Sequence, residues 1–276
     1  MISKGKKLMH QKTRIFFSLL GMLLLVARLC PAADPTPFKS GEKLHYGVYW
    51  EEFSAGEVTI EVKPIAKINN IPAYHFTMSA EISPLLDAVI MIGDRVESYA
   101  DTGMTHALLY KEHKNGATEQ DVTVTFDWKK REAQYCLNGE KYRPTALLPG
   151  AFDPLSVLYA LRLLDLKGMR KISKPVSNGL DCIVVQAKVI GKQRVRVESG
   201  EYDTYLVETQ LAGFSEIFDN ISGATVKLWI SADARRLPVR IVCELPVGSF
   251  KAELKVLETR ESSGITRMRS HSLAVQ

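Results

Sequence analysis

The sequence has none of the short motifs that identify several large enzyme classes. It contains no phosphate-binding loop, no dinucleotide-binding glycine fingerprint and no calcium-binding loop. Ser215, in GFSEI, lacks the second glycine that shapes a nucleophile elbow. The absence of a visible acid, base and nucleophile set argues against an enzyme. It does not exclude one, because such residues assemble in space from distant positions.

Cysteine is scarce, with four residues in a chain of 276. Cys136, Cys182 and Cys243 stand in apolar, strand-like stretches, and their spacing matches no zinc framework. Buried free thiols are the favoured interpretation, since free cysteine behaves as a small apolar side chain. A disulfide between Cys182 and Cys243, in an oxidising compartment, is the alternative. The sequence predicts no metal site and no cofactor.

Long uncharged apolar runs are also rare, and one lies at residues 15–26 after Lys4, Lys6, Lys7, Lys12 and Arg14. A basic stretch followed by an apolar run too short to span a bilayer comfortably is typical of a signal peptide. We therefore assign residues 1–33 to a signal peptide and expect an exported, periplasmic protein, with outer-membrane association left open.

The remaining chain has almost no net charge. Six of the 36 basic residues and none of the 31 acidic residues lie within residues 1–33, which leaves 30 basic and 31 acidic residues and a formal charge of −1. A nucleic-acid-binding surface normally shows a clustered basic excess. The composition therefore predicts no nucleic-acid partner.

Alternation of apolar and polar residues dominates what is present, beginning with GEKLHYGVYWEEFSAGEVTIEV at residues 41–62. Short alternating stretches bounded by Asn, Asp and Gly indicate antiparallel strands joined by tight turns. We predict strands at 43–51, 57–63, 73–81, 94–101, 105–111, 121–128, 132–137, 181–190, 194–198, 204–209, 225–230, 237–245 and 249–258.

One segment has helical spacing instead. In FDPLSVLYALRLLDLKG, residues 152–168, Asp153 is a candidate N-cap and Pro154 a first helical residue. The fold prediction is all-β and mainly antiparallel, a strongly curved sheet or open half-barrel with this helix packed on it. Residues 34–258 are expected to form a single exported domain, and residues 259–276 a disordered tail with little apolar area.

Several motifs together resemble an exported bacterial family, the domain of unknown function numbered 3108. They are GEKLHYGVYW, AGEVTIEV, DRVESYAD at 94–101, FDPLSVLYALR at 152–162, SGEYDTYLVE at 199–208 and KLWISADARRLPVRI at 227–241. The resemblance covers residues 38–258 with the motifs in the family's order. It implies a secreted or periplasmic β domain with one inserted helix, and it implies no activity and no catalytic residues.

A strongly curved sheet encloses either packed side chains or a ligand, depending on the size of the inward residues. The aromatic residues of the predicted strands are the candidate ligand-binding set: Trp50, Tyr74, Phe76, Tyr99, Tyr110, Trp128 and Trp229. The stretch SPLLDAVIMIGD is richer in apolar residues than a half-exposed strand requires, which favours buried core or, as the alternative, an apolar lip that touches a cavity, membrane or partner. The lip would consist of Leu85, Leu86, Val89, Ile90, Met91 and Ile92.

Three functions fit these features. The first is a non-catalytic envelope protein that binds a lipid or other apolar or amphiphilic ligand, or an envelope protein, with peripheral membrane contact left open. The second is an envelope hydrolase that uses His106 or His113 with Asp94 or Asp153. The third is a structural role in envelope assembly. The sequence does not set the oligomeric state.

Overall fold

The computed structural model describes residues 36–82, 94–115, 119–210, 224–245, 248–261 and 264–268. Within these residues the chain forms sixteen strands and one short helix, α1. The strands are β1 (Lys43–Trp50), β2 (Phe53–Ile68), β3 (Ile71–Ile82), β4 (Arg95–Asp101), β5 (Ala107–Lys114), β6 (Gln120–Asp127), β7 (Glu132–Leu137), β8 (Glu140–Lys141), β9 (Thr145–Ala146), β10 (Lys171–Ser177), β11 (Cys182–Val197), β12 (Gly200–Gln210), β13 (Thr225–Ser231), β14 (Pro238–Leu245), β15 (Gly248–Glu261) and β16 (Gly264–Met268), and α1 is Ser156–Arg162.

All sixteen strands belong to one sheet, in the order β10-β11-β12-β13-β14-β15-β1-β2-β3-β4-β5-β6-β7-β8, with β16 beside β15 and β9 beside β7. Nearly every strand pairs with its neighbour in sequence, whereas β1 pairs with β15 and so joins the beginning of the domain to its end. The predicted antiparallel sheet with one helix is confirmed.

Turn chemistry explains the sharp reversals. Asn69 and Asn70 adopt φ of 50° and 66° between β2 and β3, and Asn138 and Gly139 adopt 49° and 87° between β7 and β8. Two successive residues with positive φ give a two-residue turn whose twist matches that of the flanking strands. These are tight turns of the kind that Asn and Gly between alternating stretches indicate.

The sheet does not close by strand pairing, because β10 and β8 end the strand order among the described residues. Residues 147–153 connect the two ends instead. The Ser177 amide donates to the Phe152 carbonyl at 2.8 Å on the β10 side, and the Leu147 amide donates to the Arg131 carbonyl at 2.8 Å just before β7. The result is a barrel-like sheet with an irregular seam.

Aromatic packing fixes the helix inside the curved sheet. The ring of Tyr159 stacks on that of Phe76 with centroids 3.8 Å apart, and Phe38 meets both rings edge to face. All three side chains are almost fully buried. The helix is shorter than the predicted 152–168, since after Arg162 the chain turns away and Leu166 packs into a second, smaller core with Ile172, Val207 and Ile230.

A buried ion pair ties the helix to the N-terminal segment of the domain. Arg162 is fully buried, and its Nη1 and Nη2 donate to the two carboxylate oxygens of Glu42 at 2.6 and 3.0 Å. Nη2 also donates to the carbonyl oxygens of Pro37 at 3.1 Å and Arg235 at 3.0 Å. One side chain therefore joins three segments that are distant in sequence.

The C-terminal end differs from the prediction. Strand β15 continues to Glu261, and residues 264–268 pair with it as β16, from Leu257 opposite Met268 to Glu261 opposite Gly264. Residues 259–261 and 264–268 thus form strand structure, whereas a disordered tail was expected over residues 259–276. Thr and Ile within this short polar stretch favour strand structure, and β15 provides the strand with which it pairs.

Candidate functional site

A cavity of about 280 Å³ lies between the inner face of the sheet and the start of α1. Its wall is formed by strands β1 to β5, β14 and β15 and by the residues that lead into the helix. The lining residues are Tyr46, Val48, Val58, Ile60, Met78, Val96, Tyr110, Pro154, Leu155, Leu158, Ile241, Cys243, Phe250, Lys251 and Ala252. The volume is close to the lower end, about 300 Å³, of the range for small-molecule pockets.

Strand register brings these side chains together. Val48 on β1 lies opposite Ala252 on β15, and Ala252 lies opposite Ile241 on β14. Tyr46 lies opposite Val58 on β2. Because alternate residues of a strand face the same side, the pattern predicted from residues 41–62 builds one continuous apolar wall.

Asp153 positions the helix against this wall. Its Oδ1 accepts the amides of Leu155 and Ser156, each at 2.9 Å, and its Oδ2 accepts the hydroxyls of Ser156 at 2.6 Å and of Ser98, on β4, at 2.7 Å. Burial raises the pKa of this carboxyl group in spite of these donors. The N-cap residue of α1 is Leu155 and not the predicted Asp153, which instead caps the preceding turn and anchors it to the sheet. Leu155 and Leu158 then lie over the cavity.

The phenol groups of the lining already bond to the protein. The Tyr46 hydroxyl donates to the Pro238 carbonyl at 2.7 Å, and the Tyr110 hydroxyl donates to Glu112 Oε2 at 2.9 Å. Burial raises the pKa of both tyrosines well above the ordinary value, so both stay neutral donors. Lys251 also borders the cavity, and its Nζ lies 5.3 Å from the centroid of the Tyr49 ring.

Cys243 brings a thiol to the cavity, on the same face as Ile241. Burial raises its pKa. Cys136, Cys182 and Cys243 are all free, so the Cys182–Cys243 disulfide considered as an alternative is not formed. Cys136 lies opposite Thr123 on the outer face, which gives the same chain an internal reference thiol.

The structure distributes the predicted aromatic set over several places. Tyr110 lines the cavity. Phe76 is fully buried in the packed core beside Tyr159, and Tyr74 stacks on Phe76 with centroids 5.8 Å apart. Trp50 is at the end of β1, and its ring stacks at 6.4 Å on that of Phe250, a lining residue.

The other three aromatic residues bond elsewhere. Trp229 Nε1 donates to Gln193 Oε1 at 2.7 Å, and Trp128 Nε1 donates to the Ala107 carbonyl at 2.7 Å. Tyr99 stacks on His75 on the outer face, with centroids 4.3 Å apart. The predicted lip residues, Leu85, Leu86, Val89, Ile90, Met91 and Ile92, lie outside the described residues.

The aliphatic part of the lining was missed by sequence reasoning. Val48, Val58, Ile60 and Ile241 occupy ordinary inward positions of alternating strands, and nothing distinguishes such positions from packed core. The size of the inward-facing side chains was a usable signal. Large rings fill space at Phe76 and its neighbours, whereas a stretch of inward Val, Ile and Ala residues leaves it open.

One His and acid cluster lies at the hairpin of β5 and β6. His113 Nδ1 is 2.7 Å from Asp121 Oδ1 and its Nε2 is 3.8 Å from Glu119 Oε1, and the hydrogen bond with Asp121 raises the pKa of His113. These three side chains could converge on a metal ion. Asp94 accepts the nearby Asn115 amide. The group is exposed and faces away from the cavity.

The remaining hydrolase candidates are separate from each other. His106 Nδ1 is 2.7 Å from the Thr105 hydroxyl, and its ring meets Trp128 edge to face at 4.6 Å. The hydrogen bonds of Asp153 go to Ser98, Leu155 and Ser156, so the described contacts join it to neither histidine. None of the helical structure in the described residues has the length and apolarity of a membrane-spanning helix.

Comparison with solved structures gives several likenesses. The chain is similar to a β-barrel-like protein of the domain-of-unknown-function family DUF1849 from Brucella abortus, with TM-score 0.51, 10% identity and coverage of 80% of this chain and 98% of that one. A protein from Parabacteroides distasonis assigned as a lipoprotein gives TM-score 0.35, 8% identity and coverage of 79% and 95%. A protein from Bacteroides fragilis assigned as exported, with a YmcC-like fold, gives TM-score 0.33 and 8% identity, with coverage of 81% of this chain and 98% of that one. No curated protein matches the chain.

The likeness to the Brucella abortus protein agrees with the barrel-like sheet described above. At 10% identity it shows the fold alone. The match to a family model is more extensive, because it begins in β1 and ends in β15 and so includes all the strands that line the cavity. Over residues 45–255 the sequence matches the model described as protein of unknown function (DUF3108), and the chain belongs to that family.

Proposed function

We propose that this protein binds the aliphatic chain of an amphiphilic ligand in the cavity between the sheet and α1, and that it does so as a non-catalytic, exported protein. The observation that carries the proposal is the lining. Apolar side chains from seven strands and the helix enclose about 280 Å³. Burying an apolar chain there removes it from water, which stabilises the complex by about 25 cal/mol for each Å² of apolar surface.

The polar atoms of the lining support binding over catalysis. An enzyme site needs at least two titratable groups within hydrogen-bond reach of a reacting atom. In this cavity the two phenols are neutral donors that bond to Pro238 and Glu112, and the thiol of Cys243 has a raised pKa. The His113 cluster, which would serve the hydrolase alternative, lies on the outer face.

The proposed cellular place is the periplasm. The support is the N-terminal pattern, a basic stretch followed by an apolar run and small residues, which is that of a signal peptide. An envelope location would bring the cavity near lipids and other amphiphiles. The alternative of a structural assembly role has no need of an accessible apolar cavity, so ligand uptake separates the two.

Alkylation of Cys243 tests the proposal directly. We expect a saturating aliphatic alcohol such as decanol to slow the reaction of native protein with N-ethylmaleimide at Cys243 by about tenfold or more, because a chain in the cavity covers the thiol. Cys136, on the outer face, is the internal control and should react at an unchanged rate. The measurement is peptide mass mapping over time at one fixed, mildly alkaline pH.

Two outcomes would contradict the proposal. Cys243 could react at the same rate with and without decanol, which would mean that the chain does not enter. Both thiols could instead be slowed equally, which would mean that the alcohol acts on the protein or the reagent in general.

A further inference from the structure

Three kinds of metal-binding side chain meet at the tip of the β5–β6 hairpin. His113 lies on β5 directly opposite Asp121 on β6, while Asn115 directly follows β5 and Glu119 directly precedes β6. One ligand atom from each of His113, Glu119 and Asp121 lies within 4.8 Å of the others. An imidazole nitrogen together with carboxylate or amide oxygens is a donor set that divalent transition metals accept.

The two ring nitrogens of His113 have different neighbours. Nδ1 lies 2.7 Å from Asp121 Oδ1, and its N–H donates there because an ionised carboxylate only accepts. Nε2 lies 2.9 Å from Asn115 Oδ1 and 3.8 Å from Glu119 Oε1. Ligand atoms about 2 Å from a tetrahedral metal ion lie about 3.3 Å from one another, which falls between these two distances. A carboxylate on one nitrogen and a metal on the other is the usual arrangement of a metal-binding histidine.

Neighbouring elements hold both sides of the hairpin. Asn138, in the β7–β8 turn, accepts the Asp121 amide at 2.7 Å and donates its side-chain amide to the Glu119 carbonyl at 3.4 Å. On the β5 side, Asp94 accepts the Asn115 amide. The backbone that carries these side chains is therefore ordered in advance, which lowers the entropic cost of binding.

The charges and exposure of the cluster suit a cation. Glu119 and Asp121 supply two negative charges, and their side chains are 70% and 67% exposed, so a hydrated ion can reach them and keep some of its water. Arg95 lies opposite His113 on β4, and its guanidinium donates to Glu97 Oε1 at 3.0 Å. That positive charge therefore already has an acidic partner.

We propose that His113 Nε2, Asn115 Oδ1 and Glu119 Oε1 bind one divalent transition-metal ion such as Zn²⁺, with water completing the coordination and Asp121 as the positioning residue of the imidazole. The site faces away from the cavity, so it does not depend on the proposed function. Its mixed nitrogen and oxygen donors favour Zn²⁺ over Mg²⁺ and Ca²⁺, which prefer oxygen ligands. The bound ion links the two sides of the hairpin and stabilises it.

Zinc titration of the untagged mature protein tests the proposal. Isothermal titration calorimetry with Zn²⁺ alone, in a neutral buffer that does not bind metals, is expected to give one site with a dissociation constant of about 10 μM or tighter. Mg²⁺ or Ca²⁺ at about 1 mM should leave the zinc affinity unchanged.

Four variants locate the ion. His113→Ala should weaken zinc binding by about tenfold or more, and Asp121→Asn by about 10–100-fold. His106→Ala is the matched control, since His106 Nδ1 also lies near a carboxylate, 3.7 Å from Asp101 Oδ1, at the neighbouring β4–β5 turn. Cys136→Ser removes a thiol from β7. Both of these variants should bind zinc as the wild type does.

Imidazole ¹⁵N NMR of the wild-type protein identifies the bonding atom, and it stands even if a substitution impairs folding. Zinc should shift the Nε2 signal of His113 and leave Nδ1 as an N–H group. Equal affinity in the wild type and His113→Ala, or loss of zinc binding in Cys136→Ser, would overturn the site. A zinc-dependent shift at Nδ1 in place of Nε2 would overturn the positioning role of Asp121.

Discussion

Replacing Arg162 by alanine is expected to lower the free energy of unfolding by about 3–5 kcal/mol, because it leaves the buried carboxylate of Glu42 without its charged partner. The same side chain also donates to two carbonyl oxygens, and its guanidinium lies against the rings of Phe38 and Tyr159, 5.4 and 5.5 Å from their centroids. Its removal therefore loosens the N-terminal segment, the helix and the turn at Arg235 together. Chemical denaturation of the mature protein measures the effect.

Two further variants separate charge from packing. Arg194→Ala removes an arginine from an ion pair of similar length, 3.0 Å to Asp203, in which both side chains are more than 60% exposed. Its loss should change the free energy of unfolding far less than Arg162→Ala does, because water and salt screen exposed charges. The double variant Arg162→Met with Glu42→Leu should recover much of the stability lost in Arg162→Ala, since it removes both buried charges. If Arg162→Ala and Arg194→Ala lowered the free energy of unfolding equally, the buried ion pair would not stabilise the contact between the helix and the N-terminal segment.

Filling the cavity is expected to produce the largest effect on binding. Ala252 lies between Val48 and Ile241, and all three line the cavity. Ala252→Phe should place a ring in the open volume and weaken decanol binding by about 100-fold or more, which corresponds to about 2.7 kcal/mol. Stability should change by less than about 2 kcal/mol, since the ring enters existing space. Displacement of 1-N-phenylnaphthylamine and thermal unfolding measure the two quantities.

The matched control is Ser79→Phe. Ser79 follows the lining residue Met78 on β3 and is exposed on the outer face, so the same ring is added to a cavity-lining strand without entering the cavity. This variant should bind decanol as the wild type does. Unchanged binding in Ala252→Phe, or equal loss in both variants, would mean that the cavity is not where the chain binds.

Much of the sheet follows from local rules. The alternation in residues 41–62 and the Asn-rich turns at 69–70 and 138–139 predict hairpins, and neighbouring hairpins build an antiparallel sheet almost without further information. Asp153 before Pro154 predicts where the helical segment begins. These features depend on residues close in sequence, which is why the sequence shows them.

Features that depend on distant residues were not predictable in this way. Pairing of β1 with β15 joins His45 to Val256 and then shifts register before Tyr46 meets Leu254, and such a bulge has no local pattern. Likewise, β11 runs through Gly191, where two shorter strands were predicted, because a register shift there keeps both halves paired with β12. Burial of Arg162 was also missed, since an arginine on a helix is ordinarily exposed and only the distant Glu42 makes burial tolerable.

The candidate site shows the same division. The strands that line the cavity were predicted from the sequence. The aromatic residues were chosen as the binding set from their residue type alone. In the structure one of them, Phe76, packs against Tyr159 in the core. Whether inward residues touch or leave a gap depends on the sizes of side chains from seven strands at once. No single stretch of sequence contains the information on all of these side-chain sizes.

Native mass spectrometry tests the central claim most directly. The mature protein is purified from the periplasm, and its intact mass is compared with its mass after denaturation and organic extraction. The account predicts a discrete adduct on the native protein that is lost on extraction and whose fragments reveal an aliphatic chain. An empty native protein that also fails to take up 1-N-phenylnaphthylamine would contradict the claim that the cavity binds an amphiphile.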